Sequence, residues 1–236
     1  QRLLDLGCTL IDYERVTDEQ GRRLIFFGWH AGVAGMLETL WALGRRLAWQ
    51  GIATPFTLLR HAYEYRDLAE AKAAVLAIGD AIRNDGLPAD VAPLTIGVAG
   101  YGNVARGVWE ILDLLPVQRV APAALPGLAA ANDTPDPSRR VIYATTFREE
   151  HTVAPKSPTQ SFDLQRYYQH PAEFQPAFEQ YTPHLSVLVN AIYWDPRYPR
   201  LVTKAHLRDL WAQGQPKLRV IGDISCDIGG AIECTV

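Results

Sequence analysis

The sequence predicts an α/β fold with a doubly wound parallel sheet. Short apolar segments alternate with helical segments in the second half of the chain, as expected when each crossover between parallel strands contains a helix. One apolar segment, Leu94–Ala99, also runs into a glycine turn and then an amphipathic helix, which is how a βαβ unit begins. The five predicted strands are 94–99, 117–120, 141–146, 185–190 and 218–224.

The predicted elements fall into three regions, residues 1–28, 29–93 and 94–236. The third region holds the alternating strands and helices and is expected to form a Rossmann domain. In the first two regions, the predicted elements are a hairpin of strands 8–13 and 23–27 and helices 30–50 and 68–83. In the third region, they include helices 163–170, 172–181 and 203–213 and a polar loop over residues 132–138.

The composition excludes two classes of partner. The 236 residues carry 23 basic and 26 acidic side chains and a formal charge of −3, with the basic residues scattered. Neither nucleic acid nor a membrane surface is therefore expected as a partner. No apolar run approaches the roughly 18 residues of a membrane span, and we expect no signal peptide.

The cysteines and histidines give no sign of a metal site. The three cysteines lack CxxC spacing, and the six histidines lack metal-ligand spacing. An odd number of cysteines also argues against a disulfide framework. We expect a cytoplasmic protein, or a mitochondrial one if the source is eukaryotic.

The glycine turn after the first strand of the sheet carries the strongest functional signal. It reads Gly100-Tyr-Gly102-Asn-Val-Ala105. Gly100 permits the tight turn, Gly102 lets the backbone approach a pyrophosphate, and the following helix offers its N–H groups and dipole to that anion. The alternative is a buried strand that merely ends in a glycine turn. We expect Gly100, Gly102, Asn103 and Val104 to bind a dinucleotide.

The end of the second predicted strand indicates which dinucleotide the protein binds. A carboxylate usually lies there to bind the adenosine ribose, but this sequence reads Gln118-Arg119-Val-Ala. An arginine without an acid favours a 2′-phosphate, and hence NADP over NAD. The sequence therefore predicts that Arg119 binds the cofactor.

A second polar cluster follows the last predicted strand, in the segment Asp223-Ile-Ser-Cys-Asp-Ile-Gly-Gly230. Asp227 could orient a ribose hydroxyl, hold an amine or transfer a proton, or it could simply bond the backbone of a turn. Cys226 is expected to be a small buried hydrophobic residue because no neighbouring group would activate it as a nucleophile. His30, beside the glycine-rich start of a helix, is kept as a candidate site residue, whereas Glu14 is most simply on a solvated edge.

Several motifs together resemble one superfamily. The segments 12–14, 21–23 and 27–35 are similar to the part of the alanine dehydrogenase, transhydrogenase and saccharopine dehydrogenase superfamily that joins its two domains. This resemblance implies that residues 1–28 are part of a second α/β substrate domain and that residues 29–93 form interdomain helices. The segments 189–193, 199–203 and 223–230 fit the same superfamily in the same order. Thr-Pro-Phe, Pro-Arg-Leu and the terminal Asp-Ile-x-x-Asp-x-Gly-Gly pattern most resemble the lysine–ketoglutarate reductase domain of bifunctional α-aminoadipic semialdehyde synthases.

The resemblance implies an oxidoreductase of lysine metabolism. Its expected reaction is the reductive condensation of L-lysine with 2-oxoglutarate to saccharopine with NADPH, or the reverse. The expected partners are these substrates, a fused or separate saccharopine-oxidising domain, and further copies of the chain in a homo-oligomer.

The same resemblance assigns roles to individual residues. It places Glu14 in the lysine pocket, Arg23 on a carboxylate and Asp227 beside the nicotinamide, so Asp227 and Glu14 are the candidate catalytic groups. His30 joins the substrate-binding candidates. Asn190, Ala191 and Ile192 would flank the nicotinamide ribose, and Asp223 is a further cofactor-binding candidate.

Two alternatives remain open at the level of sequence. One is another amino-acid or opine dehydrogenase of the superfamily. The other is a dinucleotide-binding module without full catalysis, because the family's principal Lys and His acid–base residues would precede Gln1. Both ends of the sequence read as interrupted elements, so we expect it to be a piece of a longer protein.

Overall fold

The computed structural model describes residues 2–128 and 136–236. The α-helices of these residues are α1 (Arg2–Asp5), α2 (Gly28–Trp49), α3 (Leu68–Asp85), α4 (Asn103–Leu112), α5 (Glu149–Thr152), α6 (Leu164–Gln169) and α7 (Lys204–Ala212). The strands are β1 (Leu94–Ala99), β2 (Val117–Arg119), β3 (Ile142–Phe147), β4 (Val153–Pro155), β5 (Phe174–Pro176), β6 (Val187–Asn190) and β7 (Val220–Asp223). Short 3-10 helices span Tyr13–Arg15, Pro55–Leu58, Ala62–Glu64, Pro122–Gly127, Pro137–Arg140, Pro171–Glu173 and Phe178–His184.

The main sheet has the parallel strand order β2-β3-β1-β6-β7. Every residue of β1 is buried, as expected for the central strand of a sheet covered on both faces. The register pairs Ala99 with Phe147 on one side and with Asn190 on the other. The carboxyl ends of β1, β3 and β6 therefore lie side by side, and this edge is where ligands bind in such sheets.

One face of the sheet is covered by long helices. Side chains of alternate residues on β1 pack with α2, α3 and α4 in the larger hydrophobic cluster. Helices α2 and α4 are in backbone contact, because a Cβ atom built on Gly32 would overlap the carbonyl oxygen of Val104. Gly107 faces the carbonyl oxygen of Trp29 in the same way. Gly32 of α2 and Gly107 of α4 thus allow the two helices to pack closely.

The other face has a smaller core. It contains Phe147, Leu188 and Leu210 of α7. A separate antiparallel ribbon of β4 and β5 follows β3, and a third cluster around Phe174 and Tyr167 joins this ribbon to α6.

The predicted parallel sheet is confirmed, and all five of its strands lie within a few residues of their expected limits. The expectation for residues 172–181 was wrong in part, since a 3-10 turn, strand β5 and the start of another 3-10 helix replace the helix. Pro176 ends the strand that pairs with β4, and proline lacks the N–H that a continuing helix would need. The loop predicted for residues 132–138 lies mostly outside the described residues.

The N-terminal segment, residues 2–27, differs more from expectation. The predicted strand 8–13 is absent, and the expected hairpin is reduced to one antiparallel bridge between Thr17 and Arg23. Large apolar side chains in this segment are exposed, including Ile11 at 82% and Leu4 at 76%. A strand-like segment forms a strand only when a partner strand and a core accept it, and the residues that the structure describes provide neither for residues 8–13.

None of the described helices combines the length and the apolar character that a membrane span requires. Among the same residues, no group of three His, Cys, Asp or Glu side chains is placed to hold a metal ion.

Candidate functional site

A cavity of about 320 Å³ lies at the edge where β1, β3 and β6 end. The residues that directly follow these strands line it: the glycine turn after β1, Arg148 and Glu149 after β3, and the segment 191–193 after β6. Further lining residues come from the region of α6 and from the loop before α7: Tyr167, Tyr168, Trp194, Tyr198, Pro199, Arg200 and Leu201. The cavity therefore lies where the strand arrangement predicts a ligand.

The glycine turn is shaped for close approach to its backbone. Gly100 has a φ of +108°, and a Cβ there would lie 2.8 Å from the carbonyl oxygen of Ala191. A side chain at Gly100 is thus disfavoured both by conformation and by space. Gly102 directly precedes α4, and no atom lies within 4 Å of a Cβ built on it.

These features meet the requirements of a pyrophosphate site. The open position at Gly102 leaves room for an anion, and the first N–H groups of a ten-residue helix begin immediately after it. Asn103 is exposed, and its Oδ1 accepts a hydrogen bond of 3.4 Å from Arg106. Val104 is half-buried, and its carbonyl oxygen lies against Gly32 of α2. A dinucleotide diphosphate therefore fits the residues present.

The end of β6 is held by a polar network. Asn190 is fully buried, and its Nδ2 donates to Asp223 at 2.8 Å and to Ser225 at 3.2 Å. Asp223 also accepts from the hydroxyls of Ser225 at 2.9 Å and Thr235 at 2.5 Å. These bonds fix the ends of β6 and β7 relative to each other. Ala191 and Ile192 line the cavity, whereas Asn190 and Asp223 lie behind its lining.

The end of β3 brings a carboxylate between two phenols. Glu149 accepts a hydrogen bond of 2.6 Å from the hydroxyl of Tyr168 and one of 3.2 Å from the hydroxyl of Tyr101. Burial, together with the neighbouring Glu149 carboxylate, raises the pKa of both tyrosines. The phenols therefore remain protonated and act as donors to Glu149. Arg148 lies beside this group, with its guanidinium 4.8 Å from the ring centre of Tyr101.

Arg119 is not among the residues that line the cavity. It ends β2, which is an outer strand separated from β1 by β3. Its guanidinium pairs with Asp113 at 2.8 Å and stacks 3.8 Å from the ring centre of Trp109. The structure thus does not bring the predicted 2′-phosphate residue to the glycine turn.

The predicted substrate residues contact one another away from the cavity. Arg23 and Glu14 form an ion pair of 3.2 Å in the N-terminal segment, in which Glu14 is exposed and Arg23 is half-buried. His30 lies in the first turn of α2, exposed, against Trp29 and Phe27. Helix α2 begins close to the glycine turn, since a Cβ on Gly28 would lie 3.5 Å from the Cβ of Asn103.

Asp227 is exposed and lies in a turn in which its carbonyl oxygen accepts from the N–H of Gly230 at 2.8 Å. Arg200, which lines the cavity, donates to the carbonyl oxygens of Gly229 and Gly230 and thereby ties this turn to the cavity. The expectation that Cys226 is buried was wrong. Its thiol is exposed and its φ is +56°, in the irregular segment that follows β7.

Sequence reasoning missed Arg148, Glu149, Arg200, Tyr167 and Tyr168 of the cavity. Arg148 and Glu149 directly follow a predicted strand. Because ligands bind at the carboxyl ends of parallel strands, these two residues could have been predicted from the sequence. Tyr167 and Tyr168 lie in α6, and nothing local in the sequence marks this short helix as a neighbour of the strand ends.

The fold and the site define a Rossmann-like α/β protein with a glycine turn that opens onto the ligand-binding edge of its sheet. No family model matches the sequence. The chain is 40% identical over 239 residues to the α-aminoadipic semialdehyde synthase of Arabidopsis thaliana, covering 98% of this chain and 22% of that protein. It is 34% identical over 244 residues to the mitochondrial α-aminoadipic semialdehyde synthase of Mus musculus, covering 96% and 26%.

The chain is therefore homologous to α-aminoadipic semialdehyde synthases over the segment that it matches, which is about a quarter of their length. A solved structure of an L-alanine dehydrogenase aligns with a TM-score of 0.44 and 19% identity, over 99% of this chain and 48% of that one.

Proposed function

We propose that the chain is the dinucleotide-binding part of an oxidoreductase that condenses L-lysine with 2-oxoglutarate to saccharopine, or catalyses the reverse reaction, with NADPH preferred to NADH. The observation that carries the proposal is the open glycine turn at the carboxyl edge of the sheet, in a chain homologous to α-aminoadipic semialdehyde synthases. The proposal concerns the whole protein, of which this chain is taken to be a segment.

In this reaction the amine of lysine and the ketone of 2-oxoglutarate lose water to form an imine, and addition of a hydride and a proton gives the secondary amine. A bound NADPH supplies the hydride. Gly100 and Gly102 expose backbone to the diphosphate, and Asn103 and Val104 contribute the first N–H groups of α4. Ala191 and Ile192 lie on the opposite side of β1 from Arg148 and are suited to flank the nicotinamide ribose.

The remaining residues have supporting roles in the proposal. Asn190 and Asp223 position the segment that follows β6 through their direct hydrogen bond. Asp227 would sit by the nicotinamide, in the turn that Arg200 ties to the cavity. Glu14 and Arg23 would meet the substrates in a substrate domain that includes residues 1–28, and the exposed apolar side chains of this segment favour such a domain.

A binding module without catalysis is the second candidate, and one observation favours it. Among the described residues, those that line the cavity include no lysine and no histidine. Acid–base groups for imine formation would then have to come from elsewhere in a longer protein.

The enzyme proposal also includes a saccharopine-oxidising domain, a homo-oligomeric assembly and, for a eukaryotic source, a mitochondrial location.

The test is NADPH oxidation by the longest natural protein that contains this sequence. We expect oxidation only when lysine and 2-oxoglutarate are both present, and none with pyruvate and ammonia. Oxidation with pyruvate and ammonia would instead assign an alanine dehydrogenase activity. A protein that binds NADPH but does not oxidise it with any of these substrates would be a binding module, and the enzyme proposal would be wrong.

A further inference from the structure

The strand order places the end of β3, and not that of β2, beside the glycine turn. All six residues of β1 pair with β3, from Leu94 with Ile142 to Ala99 with Phe147. Strand β2 pairs with β3 and forms the outer edge of the sheet. In dinucleotide-binding sheets the adenosine ribose is recognised at the end of the strand that neighbours the first one. In this protein that position falls on the residues directly after Phe147, although they belong to the third strand along the chain.

Arg148 is the first of these residues, and its guanidinium is available. It is exposed, lines the cavity and lies over the ring of Tyr101, the middle residue of the glycine turn. Within residues 2–128 and 136–236, no ion pair involves Arg148. Arg119, by contrast, is paired with Asp113 and lies outside the cavity.

Glu149, the second residue, is engaged by other groups. A free carboxylate at this position would accept hydrogen bonds from the two ribose hydroxyls and so favour NADH. Both of its oxygens here accept from the hydroxyl of Tyr101, and one of them also accepts from Tyr168 at 2.6 Å. The end of β3 thus offers the guanidinium of Arg148, which forms no ion pair among the described residues. It also offers the carboxylate of Glu149, whose two oxygens already accept hydrogen bonds.

We propose that Arg148 binds the 2′-phosphate of the dinucleotide and sets the preference for NADPH over NADH. This inference rests on the proposed dinucleotide binding. A guanidinium can donate two parallel hydrogen bonds to a phosphate, and such charge-assisted bonds are stronger than bonds between neutral groups. NADH lacks the phosphate, so its binding should depend little on Arg148.

The test compares dissociation constants of NADPH and NADH for the chain and its Arg148→Gln variant, measured by quenching of tryptophan fluorescence. Hydrogen bonds to charged groups contribute about 1.5–3 kcal/mol, so we expect NADPH to bind about 10- to 100-fold more weakly to the variant. NADH binding should change less than about twofold on the same scale. Arg148→Lys should retain part of the preference, and Arg119→Gln, the matched control, should leave both affinities unchanged.

Three results would overturn the inference: unchanged NADPH affinity in Arg148→Gln, an equal loss for both dinucleotides, or loss of NADPH preference in Arg119→Gln instead. Circular dichroism melting of each variant shows whether the fold is retained. If the unmodified chain binds neither dinucleotide, the proposed dinucleotide binding itself fails. Dinucleotide binding with a preference that does not depend on Arg148 contradicts only the present inference.

Discussion

At the scale of single residues, Gly102 is a position where a substitution should weaken cofactor binding without disturbing the fold. A Cβ at this position would meet no atom within 4 Å, so the fold has room for a larger side chain. The same open space is where we place the pyrophosphate. We therefore expect Gly102→Val to weaken NADPH binding by about 100-fold or more, comparable to the loss of about 3 kcal/mol of contacts, with little change in melting temperature.

The matched control for this variant is Gly127→Val. A Cβ built on Gly127 would also meet no atom within 4 Å, but this residue does not line the cavity. The NADPH affinity of this control should equal that of the unmodified chain. Unaltered binding in Gly102→Val, measured in the same fluorescence titration, would contradict the pyrophosphate assignment.

Lys217 gives a prediction about pH. It is half-buried next to Arg219, and burial followed by the charge of Arg219 lowers its pKa from 10.5 to about 8. Between these two values the unfolded chain holds more protons than the folded one, so this residue makes the free energy of unfolding rise with pH. Below pH 8 both states carry the charge, and the full cost of burying it remains.

We therefore expect Lys217→Gln to be more stable than the unmodified chain at pH 7 and to lose this advantage as the pH approaches 10.5. Urea unfolding of both proteins between these limits measures the difference, and other titrating groups cancel in it. A difference in unfolding free energy that stays constant over the range would show that the pKa of Lys217 is not lowered.

At the scale of elements, the contact between α2 and α4 positions the glycine turn. A Cβ on Gly32 would overlap the carbonyl oxygen of Val104 in the first turn of α4. Alanine normally stabilises a helix interior by about 1 kcal/mol relative to glycine. Here the overlap with backbone should reverse the sign, and we expect Gly32→Ala to lower the unfolding free energy by about 1–3 kcal/mol.

Gly28→Ala is the control within the same helix. A Cβ there would lie 3.5 Å from the Cβ of Asn103, an ordinary contact, so we expect almost no loss of stability. Denaturant unfolding of the two variants compares them directly. If Gly32→Ala were as stable as Gly28→Ala, close backbone packing would not be what positions α4.

The elements also differ in how far the sequence could predict their positions. The turn at Gly100 and Gly102 was predictable because its strand, glycines and helix are contiguous. The placement of Arg119 was not, because the expectation assumed that β2 lies next to β1, whereas β3 lies between them. Strand order depends on contacts between distant segments, and no local pattern encodes it.

At the scale of the whole molecule, the sheet and the N-terminal segment differ in how well sequence patterns describe them. The buried strands read as apolar runs because both faces are covered. The segment 8–13 has a strand-like pattern but remains irregular and exposed. Glu14 and Arg23 are brought together by the chain reversal at residues 17–23. Their ion pair could not be predicted from the local sequence either.

The most direct test of the account is a crystal structure of the chain grown with NADPH. The account predicts the diphosphate against the backbone of Gly100 and Gly102, at the start of α4, with the dinucleotide lying across the ends of β3, β1 and β6. A dinucleotide bound elsewhere on the molecule, with the glycine turn left free, would contradict it.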